Sequence, residues 1–213
     1  MRMRITGGQV FDLERGFLDR DVCTDGALIS QAGGGETLDA SGCYVILVDV
    51  HFHGCVGEDF SDATSQGLQR IADFELSQGV TYLCPAGMTL PEDQLTAICR
   101  NTAAHRRHNT GGAEVVGAHL EGPFLCMAKK GAQNGDFLHD PDVPMLERLQ
   151  AAAEGCVKLV TVAPEQPGSL EFIKAARKMG IHVSVGHTVA DYSTAKAAFE
   201  AGADHATHLF NAM

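Results

Sequence analysis

Two histidines at the end of an apolar run, in Asp49-Val50-His51-Phe52-His53-Gly54, are the first residues able to do chemistry. Side chains two apart on a strand share a face, so Asp49, His51 and His53 point one way. Neutral imidazole is the commonest nitrogen ligand for zinc and similar ions, so the pair reads as a metal-binding edge. A carboxylate comes next in His119-Leu120-Glu121-Gly122-Pro123, where Gly-Pro halts the strand behind Glu121. Taken alone, Glu121 reads equally as a ligand or as a solvated strand end. Gly186-His187-Thr188 and Thr207-His208-Leu209-Phe210-Asn211-Ala212-Met213 supply two more histidines. Four histidines and one glutamate at one end of a parallel sheet would bind one or two divalent ions with positions left open for water. Such an ion lowers the pKa of bound water toward about 7 and polarises a carbonyl.

The elements that position these residues alternate along the chain. Apolar, β-rich runs predict strands at 44–53, 80–86, 115–120, 157–163, 182–187 and 205–210. Helical spacing predicts helices at 64–78, 91–108, 142–154, 169–179 and 191–201, with Ser169 and Asp191 as N-caps. This alternation gives parallel strands with right-handed crossovers, in an open doubly wound sheet or a (β/α)8 barrel. No G-x-G-x-x-G follows the first strand, so the dinucleotide-binding version has no support. The candidate residues sit at the C-terminal strand ends, where barrel enzymes place their chemistry, and Glu165 follows the fourth strand there too. Before this region, residues 1–42 read as part of a small β domain, with strands at 4–10, 17–24 and 27–31 and a hairpin turn at Asp25-Gly26.

Bulk properties narrow the function classes. The 213 residues are 45% apolar and 20% charged, as in a globular protein with a real core. A formal net charge of −11 argues against nucleic acid and anionic membranes as partners. The seven cysteines are scattered and never form C-x-x-C, which argues against disulfide frameworks and structural zinc modules. No leader-like or membrane-length apolar run occurs, so a cytoplasmic protein is expected. Cys55 and Cys126 read as buried thiols, and His105 and His108 as a solvated helix end. His119 shares the face of Glu121 and reads equally as its support or as a packed core residue. His139, His182 and His205 have no evident partner.

These motifs, in order, resemble the amidohydrolase superfamily and within it the N-acetylglucosamine-6-phosphate deacetylases. The resemblance runs through D-V-H-F-H-G, G-V-T (79–81), G-A-H-L-E-G-P-F (117–124), K-K-G-A (129–132), V-A-P-E (162–165), V-G-H-T (185–188) and T-H-L-F-N-A-M (207–213). It implies a (β/α)8 barrel over 43–213, incomplete at about six strands, beside part of a small N-terminal β-sandwich. It implies that Glu121, His187 and His208 hold the principal metal, and that His51 and His53 add a second site. Substrate contacts are implied at Ala132, Gln133, Asn211 and Ala212. The implied reaction is hydrolysis of an N-acetylhexosamine 6-phosphate to acetate and a hexosamine 6-phosphate, in a homodimer, with zinc, iron, manganese or cobalt. Two departures stand out. Gln133 occupies a position where the family commonly has His, which leaves the galactosamine epimer as the near alternative. The chain also ends at Met213, before the family's catalytic Asp, so no catalytic acid–base residue is expected within it and a truncated, non-catalytic metal-binding fragment is the alternative of another class. A cyclic-amide hydrolase is disfavoured, because Lys158 lies at the start of its strand, away from the site.

Overall fold

In the computed structural model, residues 2–12, 14–25, 28–30, 34–108 and 111–211 are described. Six parallel strands stand side by side in chain order. The first is Leu47–Asp49, the second Val80–Leu83 continuing as Ala86–Gly87, and the third Glu114–Val115 continuing as Ala118–Leu120. Val157–Val162, His182–Val185 and His205–Ala206 complete the wall. The second and third strands are each interrupted once: their first halves pair with each other beside the first strand, their second halves beside the fourth. Register shifts at Val80/Tyr82 and Ala118/His119 accompany the interruptions, and such irregularities bend a sheet.

Helices α1 (Ser65–Ser77), α2 (Glu92–His108), α3 (Val143–Ala152), α4 (Ser169–Lys178) and α5 (Tyr192–Ala201) follow the first five strands in turn. The order is that of a (β/α)8 barrel, with six of the strands in this chain. All five helices lie within two residues of the positions their periodicity predicts at either end. Their apolar stripes explain this: Ile71, Leu95, Ile98, Leu146, Leu149, Phe172 and Ile173 are fully buried. Each such side chain contributes about 1.5–3 kcal/mol by leaving water. Thr64, Asp142 and Asp191 cap α1, α3 and α5 by accepting from the N–H groups of Gly67, Met145 and Thr194.

The Ser169 cap is a correction. Gly168 holds the cap position at φ 80°, a conformation glycine adopts at little cost. Ser169 is the first helical residue, and its hydroxyl donates within reach of the Ala163 and Gln166 carbonyls.

The N-terminal strands are shorter than predicted. The 4–10 run divides at Gly7 (φ 74°) into Arg2–Thr6 and Gln9–Asp12, which join different sheets. The 17–24 run likewise divides into Gly16–Asp19 and Val22–Asp25. Val22–Asp25 pairs antiparallel with Leu28–Ser30, with Asp25 opposite Leu28, while Gly26, Ala27 and Gln31 lie outside the described residues. The predicted 44–53 strand serves two sheets: Tyr44–Val45 pairs with Gln9–Asp12, and only Leu47–Asp49 enters the barrel. Among the described residues, no helix is long and apolar enough to cross a membrane.

Candidate metal centre

Each candidate ligand lies just beyond the C-terminal end of a strand, placed there by a local backbone device. The Asp49 carboxylate accepts from the His51 N–H at 2.9 Å, a turn that ends the first strand. Asp49 therefore supports the histidine segment, and its carboxylate is spent on that turn. Glu121 follows the third strand directly, and Gly122 behind it sits at φ 111°, where an added Cβ would meet Thr89 Oγ1 at 2.1 Å. His187 and His208 both adopt positive φ, 49° and 53°, uncommon for residues with a side chain and found where surrounding structure enforces it. The same turn explains why the sixth strand ends at Ala206 and not at residue 210 as predicted.

These devices bring four imidazoles onto one carboxylate. Glu121 is 1% exposed. Its Oε1 lies 3.3 Å from His51 Nε2, 3.1 Å from His187 Nε2 and 2.9 Å from His208 Nε2. Its Oε2 lies 3.0 Å from His53 Nε2 and accepts from the Gln133 amide at 2.7 Å. The ligand atoms form two overlapping groups that could hold a metal ion, one of His51, His53 and Glu121, the other of Glu121, His187 and His208.

Proton placement tests whether these residues suit a cation. His53 Nδ1 lies 2.9 Å from the Ala86 carbonyl, and His187 Nδ1 lies 2.8 Å from the Lys129 carbonyl. A carbonyl only accepts, so each Nδ1 carries the hydrogen, and a neutral ring then turns the Nε2 lone pair onto a carboxylate oxygen. Two lone pairs facing an anion need a positive charge between them. The Glu121 hydrogen bond raises the His53 pKa above its ordinary value. Burial works against His187, but its bonds to Glu121 and Lys129 raise it overall. Burial alone would raise Glu121, but hydrogen bonds from His187 and His53 and the neighbouring imidazole charges hold it well below the usual carboxylate range. Burial lowers His51, and neither of its buried ring nitrogens has a hydrogen-bond partner among the described residues. A divalent ion would satisfy all these groups together, and backbone carbonyls behind ligand histidines are the usual support.

The other singled-out residues divide. Gln133 is 2% exposed and both ends of its amide are engaged: Nε2 donates to Glu121 and Oε1 accepts from the Thr89 N–H at 2.7 Å. Ala132 and Asn211 are exposed, Asn211 N–H donating to the His208 carbonyl at 2.7 Å, while Ala212 lies outside the described residues. Glu165 stands apart from the cluster: it accepts from the Thr188 hydroxyl and, at 2.9 Å, from the Val189 N–H, holding the turn after His187. His105 corrects its reading as a solvated helix end, since it is 6% exposed on the inner face of α2, directly before the exposed Arg106–His108. Burial lowers its pKa.

His182 and His205, which the sequence left without partners, both contact Asp204, at 2.6 and 3.0 Å. They sit at the opposite ends of the fifth and sixth strands from Glu121. Arg177 lies 2.9 Å from the same carboxylate, so this exposed knot already contains its cation. Asp204 titrates low: burial would raise it, but the His182 and His205 hydrogen bonds and the Arg177 charge outweigh that.

Residues 47–213 match the amidohydrolase family. The chain belongs to that family. It is 35% identical over 216 residues to the bovine N-acetylglucosamine-6-phosphate deacetylase, covering 98% of this chain and 50% of that protein. It is 31% identical to an N-acetylgalactosamine-6-phosphate deacetylase of Escherichia coli O157:H7, over 78% of this chain and 44% of that one. Among solved structures it resembles a mutant N-acetyl-D-glucosamine-6-phosphate deacetylase of Mycobacterium smegmatis in complex with N-acetyl-D-glucosamine-6-phosphate, with TM-score 0.76 and 31% identity, covering 100% of this chain and 56% of that one. The chain thus spans about half the length of the curated relatives it matches.

Proposed function

We propose that residues 43–213 form the metal-binding part of a deacetylase acting on an N-acetylhexosamine 6-phosphate, with N-acetylglucosamine 6-phosphate first, in amino-sugar breakdown; residues 1–42 form a small accessory β domain. The observation that carries this reading is the pair of Nε2 lone pairs, His53 and His187, turned onto the buried Glu121 carboxylate by backbone carbonyls. Glu121, His187 and His208 hold the principal ion, and His51 and His53 flank a second position. When bound, a divalent ion supplies Lewis acidity toward the amide carbonyl and makes water available as a nucleophile near neutral pH.

The chain's own residues do the rest. Glu121 offers Oε1 to the ion because the Gln133 amide occupies Oε2. Imidazole and carboxylate donors without a thiolate accept zinc, iron, manganese or cobalt. Ala132 and Asn211 face solvent on the turns beside Gln133 and His208, and these two with Ala212 are the contacts we assign to the sugar. With an amide at residue 133, the site binds through hydrogen bonds and carries no proton there at neutral pH. Seven free cysteines suit a reducing, cytoplasmic setting. The relatives named for both epimers support a hexosamine 6-phosphate of either kind.

The test is acetate release by the intact protein from both N-acetylhexosamine 6-phosphates, with and without chelator. Chelator-sensitive release from the glucosamine compound is expected. Release from neither compound by metal-loaded protein would reject the reading.

A further inference from the structure

Beneath the candidate ligands runs a buried hydrogen-bonded chain of side chains that the reaction does not use. His119 Nδ1 lies 3.1 Å from the Val50 carbonyl, and His119 Nε2 lies 2.8 Å from Thr161 Oγ1. Thr161 Oγ1 lies 3.1 Å from Thr207 Oγ1, which lies 2.6 Å from Ser184 Oγ. His119 and Thr161 are fully buried, Ser184 is 1% exposed and Thr207 6%. His119, Thr161 and Ser184 lie in the third, fourth and fifth strands, and Val50 and Thr207 directly follow the first and sixth; only the second is passed over.

The proton order follows from the chemistry of the ends. The Val50 carbonyl only accepts, so His119 Nδ1 donates and the Nε2 of the neutral ring accepts. Thr161 spends its single hydroxyl proton on that nitrogen, so it must accept from Thr207, and Thr207 in turn from Ser184. Thr161 and Thr207 each give and receive, Ser184 gives at the far end, and the chain has one direction. A buried network satisfied throughout is rigid, and deleting one link leaves its neighbours unpaired.

Its attachment points decide what it holds. Val50 precedes His51 in sequence, Thr207 precedes His208, and His119 stands two residues before Glu121. The His51 ring also packs edge-on against His119, with centroids 5.0 Å apart. The belt thus ties together the strand ends that carry ligands far apart in sequence.

We infer that the His119–Thr161–Thr207–Ser184 belt is a positioning device that sets the spacing of the candidate ligands, with Thr161 its central link. This rests on the proposed metal role of Glu121, His187 and His208.

The experiment measures divalent-metal affinity in the intact protein, by competition against a chelator, together with the absorption spectrum of the cobalt-loaded form. Thr161→Val keeps the shape and removes the hydroxyl; Thr161→Ser keeps the hydroxyl. Expected are a loss of about 10–100-fold in affinity and an altered cobalt spectrum in Thr161→Val, the usual size for groups supporting ligands, and rescue of both by Thr161→Ser. Ser184→Ala removes only the terminal link and is expected to give a smaller loss in the same direction; it decides the matter if Thr161→Val does not fold. Wild-type affinity and spectrum in the folded Thr161→Val protein, or in Ser184→Ala where that variant decides, would overturn the belt's role while leaving the metal reading intact. Failure of the unsubstituted protein to bind metal would overturn both.

Discussion

Replacing Glu121 with Gln keeps the side chain's shape and removes its charge, which separates a ligand from a packing residue. Without metal, the substitution should cost little. Glu121 is a nearly fully buried anion, and a buried charge carries a desolvation penalty of several kcal/mol. Here the carboxylate shifts His53 and His187 upward, and their hydrogen bonds in turn favour its charge. With a neutral amide the anion and that mutual coupling are lost together, and an amide N–H can donate to a neighbouring imidazole lone pair. One exchanged hydrogen bond is worth about 1 kcal/mol, and stability in chelator should move by no more than that. With metal, the two proteins should part. An ion at about 1,000 times its Kd stabilises the folded state by about 4 kcal/mol. For a domain of this size each kcal/mol raises Tm by about 2–4 °C, so unsubstituted protein gains about 8–16 °C. Loss of a direct ligand costs at least the roughly 100-fold seen for supporting groups. At the same metal concentration the variant then keeps about 1.4 kcal/mol, or about 3–6 °C. Thermal unfolding across a metal titration reads both quantities. An equal metal-dependent rise in the two proteins would show that Glu121 is not a ligand and would refute the argument.

Gly186→Ala should destabilise by about 1–3 kcal/mol in urea unfolding, because its Cβ would lie 2.8 Å from Thr207 Cβ in a filled layer. It should also weaken metal binding, since the push falls between His187 and His208. Gln133→Ala should raise the metal content measured by elemental analysis from about one equivalent toward two, because it frees Glu121 Oε2 on the His53 side. Burial pushes Cys84 and Cys99 up to about 12 and Cys55 up to about 11. Alkylation at pH 8 followed by mass spectrometry should therefore label exposed Cys43 first and Cys84 and Cys99 last, with reaction falling further as pH drops and thiolate is lost. Asp142→Ala should cost about 1 kcal/mol through loss of the α3 cap to Met145, read as a lower urea midpoint with metal affinity unchanged.

What could be read from the sequence follows from how local its causes are. The five helices were legible because stripes such as Leu95, Ile98 and Cys99 repeat at 3.6 residues and the core takes that whole face. The candidate ligands could be singled out because each sits at a strand end in a short polar motif. The lengths of the strands were not, because a strand stops where a side chain or a positive φ diverts its backbone, as Asp49 and His208 do, and composition does not encode that. His119 was left between two readings since its partners, Val50 and Thr161, lie 69 and 42 residues away. His105 was misjudged from its basic neighbours, although its place on the inner stripe of α2, three residues past Thr102, was the signal available. Glu165 is the opposite case: its position at a strand end suggested the centre, but its carboxylate is consumed by the 188–189 turn.

The devices that aim the ligands are separable from those that hold the barrel together. Fully buried Leu149, Phe172 and Ile173 belong to the apolar core that packs the helices onto the outside of the wall. The aiming is done by polar contacts inside and above it: the Asp49 turn under His51, the carbonyls of Ala86 and Lys129 behind His53 and His187, and the belt from Val50 to Ser184. Substitutions in the apolar layer change how much of the protein is folded, and so act on metal binding only through that fraction. Substitutions in the polar layer change the angle at which a lone pair meets the carboxylate in protein that remains folded. Stability and metal affinity are therefore expected to vary independently across the two layers. The ring nitrogens of His51, enclosed and without a hydrogen-bond partner among the described residues, are the donors that a cation at the proposed centre would satisfy.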